Sequence, residues 1–575
     1  GVSRSTVSLV CNNKGYVSDE TRKKIEKAMK ELNYIPSELG RNLKMQKSGI
    51  VGIIVPDIAH PFFSTFIKYA EKELYSRGYK ALVCGTAGRE DVEEAYLQML
   101  DRRTMDGVIM GAHSLKKERY LKIDRPIVTI DCYLADYIPT VHVDKRQVAE
   151  KAASLFLEKN RKKVVQLVSS HTIKNYEDEK EKLFREILQK KGCEVVDIGQ
   201  CGTEMIYFAT AHLGLDGGIM ITASHNPKEY NGLKLVRKEA RPISGDTGLK
   251  DIEAKVMAGE LGTPAEVPAK VIEVDIMKDY IDHLLTYVDM SALKPLKIVV
   301  NSGNGAAGPA IDELEKRLPF NFIKVNNNPD GTFPNGVPNP LLMENREATA
   351  KVVREEKADL GVAFDGDFDR CFIFDENGDM IEGYYIVGFL AKAFLNKNPG
   401  AKIIYDPRLT WNTIELVEEA GGVPVMCKSG HAFIKDCMRK EDAVYGGEMS
   451  AHNYFKDFSF CDSGMITWLL VAELLCQAEG KMSEMLKERM ERYPISGEIN
   501  STVADAKAVM AAIEEKYGST GEVCKMDGFS VDYPEWRFNV RISNTEPVVR
   551  LNVETRGDKK LLEEKTAEVL AVIRG

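Results

Sequence analysis

Thr222-Ala223-Ser224-His225-Asn226-Pro227 follows the apolar run Gly217-Gly218-Ile219-Met220-Ile221, so these six residues read as a loop at the end of a buried strand. Small neighbours leave the Ser224 hydroxyl uncrowded, and Pro227 stiffens the turn behind it. A serine held on a rigid strand end suits a nucleophile or a phosphate carrier. Alone, the motif reads better as a polar turn after a core strand. Three further polar loops downstream, each ending a strand, change that balance.

The second loop is Asp365-Gly366-Asp367-Phe368-Asp369-Arg370, after the apolar stretch Leu360-Gly361-Val362-Ala363-Phe364. Three carboxylates at alternate positions, with a glycine allowing a tight bend, converge on one hard cation. A calcium EF-hand is the rival, with Glu376 at its twelfth position. Arg370 stands where that loop needs glycine, however, and Cys371-Phe372-Ile373-Phe374 reads as a strand, so Mg²⁺ is the expected metal. The third loop is Gly447-Glu448-Met449-Ser450-Ala451-His452. Glu448, Ser450 and His452 alternate, so an extended loop points them the same way. The carboxylate and hydroxyl suit sugar hydroxyls, and His452 suits phosphate or a proton. The fourth is Arg541-Ile542-Ser543-Asn544-Thr545-Glu546-Pro547, where an arginine fork precedes hydroxyls and an amide on a turn, a nest for phosphate.

The 575 residues, 44% hydrophobic and 29% charged, describe an ordinary globular protein of about four domains. No apolar run reaches membrane-spanning length, since the stretch 465–476 is short and interrupted by Glu473. No signal peptide is evident. Eleven scattered cysteines without a CxxC pair suggest neither a disulfide framework nor a zinc site, and a cytoplasmic location is expected. The net charge of −9 is uneven: residues 1–48 carry ten Lys/Arg against five Asp/Glu, a basic head suited to a polyanion. Starting at Gly1 rather than Met, the chain reads as a fragment.

Ser3 is the expected N-cap of a short helix with Val7 and Val10 on one face. A second helix runs to about Leu32, with Ile25, Met29 and Leu32 turned inward. The phrase Gly1-Val2-Ser3-Arg4-Ser5-Thr6-Val7-Ser8 and the stretch 33–45 resemble the helix-turn-helix head and hinge helix of the lac repressor family. That resemblance implies DNA binding through Arg4 and Ser5 at base-reading positions and Leu43 as a minor-groove wedge. The first helix of that motif is absent from the sequence. Residues 49–198 alternate strands (50–56, 81–84, 107–110, 126–131) with helices (61–77, 91–102), which implies a parallel sheet. This resembles part of the same family's periplasmic-binding-protein-like core, with Phe62, Phe63 and Asp131 near a sugar effector.

From Cys201 onward the four loops, in order and spacing, resemble the α-D-phosphohexomutases, nearest the bacterial phosphomannomutases. Gly303-Asn304-Gly305-Ala306-Ala307-Gly308 and Asp406-Pro407-Arg408-Leu409 match as well. The resemblance implies an isomerase that interconverts mannose 6-phosphate and mannose 1-phosphate for GDP-mannose synthesis. Catalysis falls to Ser224 as phosphoserine, Lys234 for proton transfer or charge stabilisation, Arg370 on the reacting phosphate, and His452. Ser224, Asp365, Asp367 and Asp369 hold Mg²⁺. His225, Gly430, His431, Glu448, Ser450, Arg541, Ser543, Asn544 and Thr545 bind the hexose phosphate substrate, and hexose 1,6-bisphosphate is the activator.

The expected fold is α/β with these domains: head and hinge 1–48, partial repressor core 49–198, mutase domains 199–275 (incomplete), 276–379 and 380–488, and a small α+β domain 489–575. The family's opening Tyr-Asp-Ile-Arg-Gly stretch is not in the chain. Residues 146–159, 163–168, 176–191 and 193–198 repeat the helix-strand-helix-strand order that the first mutase domain lacks, so they are candidates to complete its sheet.

Overall fold

The computed structural model describes residues 2–11, 15–32, 47–56, 58, 61–86, 89–111, 115, 117–130, 134–135, 137–141, 163–168, 193–226, 232–258, 270–503, 505–542 and 548–575. The chain packs as two units, Gly1–Val143 and Asp144–Gly575. Among the described residues no helix is long and apolar enough to cross a membrane.

In the first unit, helix Arg4–Cys11 starts where Ser3 Oγ accepts from the Thr6 N–H at 3.1 Å, the expected cap. Helix Asp19–Glu31 turns Ile25 inward and Met29 partly so, but Leu32 stands 76% exposed just beyond the helix end, contrary to expectation. The 50–141 segment forms an all-parallel sheet in the order Lys80–Gly85, Ile50–Val55, Gly107–Met110, Ile127–Ile130, Thr140–Val141. Helices Pro61–Ser76 and Glu90–Asp101 supply the crossovers that parallel neighbours need. Leu97 and Leu100 pack with Ile54, Cys84 and Met110 in its core.

The second unit is built on a repeated sheet. Residues 297–381 give the order Asn321–Val325, Lys297–Asn301, Leu360–Phe364, Cys371–Phe374, Met380–Ile381, with the first three strands parallel and the last two antiparallel. Residues 402–462 repeat it as Val423–Met426, Lys402–Tyr405, Tyr445–Gly447, Asn453–Phe455, Cys461–Asp462. The remaining sheet repeats it once more as Glu194–Gln200, Lys163–Val168, Gly217–Ile221, Leu233–Arg237, Arg241–Pro242, with Val271–Glu273 added outside Glu194–Gln200. In each sheet the strand before a functional loop is flanked on both sides, and Gly217–Ile221 and Leu360–Phe364 are buried throughout. Such strands need continuous apolar runs, which is why those runs are legible in the sequence.

This topology corrects two expectations. Strands Lys163–Val168 and Glu194–Gln200 hydrogen-bond into the sheet that carries Ser224, so these two strands do not belong to a separate repressor core. The first mutase sheet, expected to be incomplete, has the full strand order of its two siblings. The helices expected at 146–159 and 176–191 lie outside the described residues.

One continuous apolar core runs through all three sheets, from Val196 through Ile298 and Leu360 to Trp468 and Tyr493. The last sheet is antiparallel, in the order Ile499–Thr502, Val548–Thr555, Trp536–Ile542, Phe529–Asp532, Glu522–Cys524, with helices Ala506–Tyr517 and Lys559–Arg574, the expected α+β arrangement. It has its own core, including Ile513, Phe538, Leu551 and Val569. Glu554, fully buried, ties it to its neighbour by accepting from the Thr410 N–H (2.7 Å), and Arg537 beside it donates to the Arg408 (2.9 Å) and Pro407 (3.0 Å) carbonyls.

Candidate active site

The Ser224 and Asp365–Arg370 loops meet backbone to backbone. A Cβ on Gly366 would lie 2.4 Å from the Ser224 carbonyl oxygen, so only glycine permits this approach. Ser224 has a φ of 53°, in the left-handed region, and its N–H donates to Thr222 Oγ1 at 2.8 Å. Its Oγ donates to Asp365 Oδ2 (3.0 Å) and lies 3.1 Å from His225 Nδ1. Arg370 grips the same carboxylate through Nε at 2.9 Å and also contacts His225 Nδ1. On the other side of the loop, Phe368 is wholly buried against Gly202, where an added Cβ would lie 2.1 Å from its ring.

Asp367 and Asp369 are buried and share the Lys234 ammonium, at 2.8 and 2.5 Å. Asp367 Oδ2 also accepts from Thr203 Oγ1 (2.6 Å) and Thr222 Oγ1 (3.0 Å). Burial pushes the Asp367 carboxyl up, but Lys234 outweighs it and holds the group well below the usual range. Burial and the neighbouring Asp367 charge raise Asp369 instead. Burial, then the Arg370 charge, pushes His225 down to about 3, so its ring is neutral at pH 7.

One oxygen from each of Asp365, Asp367 and Asp369 lies within 4.8 Å of the others. Asp367 Oδ1 and Asp369 Oδ1 are buried with no hydrogen-bond partner. Three carboxylates against two cationic side chains, with two oxygens unpaired, fit a hard divalent cation bound through oxygen.

The Glu448–His452 segment corrects an expectation. It is a tight turn rather than an extended loop: the Glu448 N–H donates to the His452 carbonyl (2.9 Å), and Ala451 has a φ of 71°. Glu448 and Ser450 nevertheless converge, both accepting from Arg408 at 3.3 Å. Glu448 Oε1 also accepts from the Gly430 N–H at 2.8 Å, which joins the turn to the start of helix His431–Glu441. His431 is exposed. His452 turns away to Asp462, with Nδ1 2.8 Å from Oδ2. Burial depresses the His452 ring, but Asp462 and the nearby carboxylates raise it overall.

Arg541 is the penultimate residue of strand Trp536–Ile542 and pairs with Glu498 at 3.1 Å. Arg408 NH1 reaches the same Glu498 at 3.9 Å, so one carboxylate links the Glu448–His452 turn to strand Trp536–Ile542. Ser543, Asn544 and Thr545 lie outside the described residues, as do Leu43 and Asp131. Arg4 and Ser5 are exposed on helix Arg4–Cys11, while Phe63 is buried and Phe62 exposed.

The sequence reading missed Thr203, Arg408's contacts with Glu448 and Ser450, Glu498, Asp462 and Lys435. Asp406-Pro407-Arg408-Leu409 was a visible signal for Arg408. The others sit in ordinary stretches and reach the site only through packing; Thr203 and Asp367 are 164 residues apart.

Models of the phosphoglucomutase/phosphomannomutase alpha/beta/alpha domains I, II and III match residues 141–262, 278–378 and 382–493, and the C-terminal domain matches 498–572. A model of bacterial regulatory proteins of the lacI family matches residues 1–37. The chain is similar to a phosphomannomutase of Salmonella montevideo, 59% identical over 394 residues, covering 67% of this chain and 86% of that one. It is also similar to a protein of Xanthomonas campestris described as phosphohexose mutases, 58% identical over 389 residues, covering 68% and 87%. Among solved structures, a Burkholderia thailandensis phosphoglucomutase/phosphomannomutase family protein superposes with a TM-score of 0.66 at 29% identity, covering 75% of this chain and 94% of that one.

Proposed function

From the premise that the chain belongs to the phosphoglucomutase/phosphomannomutase family, we propose that it is a phosphomannomutase interconverting mannose 6-phosphate and mannose 1-phosphate. The observation that carries the reading is the Ser224 hydroxyl, held 3.0 Å from Asp365 beside two unpaired buried carboxylate oxygens. A phosphate cannot pass directly between the 1- and 6-oxygens of a hexose, because they are too far apart. Phosphoserine 224 gives its phosphoryl group to the free hydroxyl, forming hexose 1,6-bisphosphate. After the bisphosphate reorients, its other phosphoryl group returns to Ser224.

Each residue has a task in this scheme. Arg370 steadies the reacting phosphate, with Lys234 balancing charge beside it. His452 moves the proton of the substrate hydroxyl. Glu448 and Ser450, set by Arg408 and Gly430, hold sugar hydroxyls shared by both orientations, and His225 and His431 flank the substrate. Arg541, with Ser543, Asn544 and Thr545, holds the phosphate that is not reacting. Asp365, Asp367, Asp369 and Ser224 hold Mg²⁺, which when bound neutralises and polarises the phosphate on Ser224. Hexose 1,6-bisphosphate primes Ser224.

The test is conversion of mannose 6-phosphate by the purified chain with Mg²⁺ and a trace of hexose 1,6-bisphosphate. In Ser224→Ala turnover should fall by roughly three orders of magnitude or more. Near-normal turnover in that variant would defeat the assignment. A second reading, a DNA-binding regulator using Arg4, Ser5 and Leu43, is favoured by the lacI family match over residues 1–37. Salt-sensitive binding to a duplex operator is its test.

A further inference from the structure

Asp462 stands outside the four loops, wholly buried on the short strand Cys461–Asp462. It is placed between a histidine and a lysine. Oδ2 lies 2.8 Å from His452 Nδ1, and Oδ1 lies 2.6 Å from Lys435 Nζ, both at ion-pair distance though off the ideal hydrogen-bond line. Lys435 is also wholly buried, on helix His431–Glu441, with its ammonium 3.8 Å from the centre of the Tyr207 ring. His452 is held from behind, where its carbonyl accepts from the Glu448 N–H at 2.9 Å.

We infer that Asp462, neutralised by Lys435, is a positioning residue for His452: it keeps the imidazole proton on Nδ1 and leaves Nε2 to exchange protons with the substrate hydroxyl. A carboxylate only accepts, so the ring nitrogen facing it is the one that carries hydrogen. An ammonium only donates, so Lys435 keeps Asp462 ionised and fixes which oxygen faces His452. Two buried charges are costly to desolvate, which pairing offsets. The pair also ties His452 to the helix that begins at Gly430 and His431, so both substrate-facing segments share one anchor. This deepens the phosphomannomutase reading and rests on it.

The discriminating variant is Asp462→Asn. Lys435 still demands an acceptor, so the amide oxygen stays on Lys435 and the NH₂ group turns to His452 Nδ1. That moves the ring proton to Nε2, where it blocks the base. In Lys435→Met/Asp462→Asn the amide is free to turn over and present its oxygen to Nδ1 again. A purely structural ion pair also favours the double variant, which leaves no buried charge unpaired, but it predicts the same ring nitrogen protonated in both variants, so the tautomer discriminates.

Two readouts are taken on the full chain: mannose 6-phosphate turnover, and the His452 tautomer by ¹⁵N-histidine NMR at alkaline pH, assigned by its loss in His452→Gln. The expected wild-type state carries the proton on Nδ1. Asp462→Asn should carry it on Nε2, with kcat lowered roughly 10²- to 10⁴-fold and KM nearly unchanged. The double variant should return to the Nδ1 form and regain roughly tenfold or more of the lost kcat. Should the single variant not fold, the double variant, which leaves no buried charge unpaired, carries the same readouts. A wild-type proton on Nε2, an unchanged kcat in Asp462→Asn, or a double variant in the Nε2 form would overturn the inference. Absence of wild-type turnover would count against the mutase reading alone, because the tautomer is read independently of activity.

Discussion

Ser224 sits at a φ of 53°, a conformation that costs a non-glycine residue of order 1–3 kcal/mol and that persists only where its surroundings impose it. Here they are the Thr222 hydroxyl, the Asp365 carboxylate and the bare backbone of Gly366. Gly366→Ala would put a methyl 2.4 Å from the Ser224 carbonyl and force the two loops apart. Turnover should drop roughly a hundredfold, because displacements of about 1 Å at a reacting centre cost that much. A steady-state assay beside a thermal melt checks it, and a melt still cooperative would place the loss at the site.

His225 makes a separate, pH-dependent prediction. Its folded-state value near 3 lies below its ordinary 6.5, so the unfolded chain takes up a proton first as pH falls. Stability tied to His225 is therefore complete above about pH 6.5 and is lost progressively towards pH 3. In His225→Asn, which keeps a polar partner for Arg370 without titrating, the acid-unfolding midpoint should move to lower pH. Circular dichroism across that range reads the shift.

Among the elements, two helices are joined by one carboxylate. Glu204, in the first turn of helix Thr203–His212, accepts from Ser463 Oγ (2.8 Å) and from the backbone N–H groups of Gly464 (2.7 Å) and Met465 (3.3 Å), at the start of helix Gly464–Gln477. Tyr280 OH donates to it too. Burial raises the Glu204 carboxyl to about 8 despite these hydrogen bonds, so near neutral pH it is mostly protonated and serves as a neutral acceptor. Glu204→Leu would leave these donors without an acceptor, and stability should fall by about 2–4 kcal/mol. Denaturant unfolding measures that loss, and a change below about 0.5 kcal/mol would show that the clasp does not hold the two helices together.

At the scale of the molecule, the repeated five-strand order makes a sharp prediction about where the chain can be cut. Removing residues 1–143 takes away a unit with its own core and leaves all three repeated sheets whole, so the remainder should melt as the full chain's second unit does. Removing residues 1–198 takes Lys163–Val168, the strand between Gly217–Ile221 and Glu194–Gln200, and most of the latter. Gly217–Ile221 would then expose an unpaired edge, and the shared apolar core would lose Val196 and Ile198. That shorter chain should unfold at markedly lower temperature or aggregate, as calorimetry and light scattering would show.

What the sequence determined by itself was local. Five-residue apolar runs ended in loops whose residue types named their chemistry, because strands buried on both faces must be apolar throughout and a functional loop must break that pattern. The Ser224 and Asp365–Arg370 loops and the strand at Cys371–Phe374 were legible for that reason. Alternation misled at Glu448–His452, where a tight turn with Ala451 in the left-handed region replaces extended backbone. Only the tertiary structure decided which sheet Lys163–Val168 joins, since a short apolar strand fits several parallel sheets and only its neighbours' hydrogen bonds choose among them. It alone also brought Thr203 to Asp367, Arg408 to Glu448, and Asp462 and Lys435 behind His452. Those pairings depend on how separate sheets stack, and a contact between residues far apart in the chain leaves no pattern in either stretch.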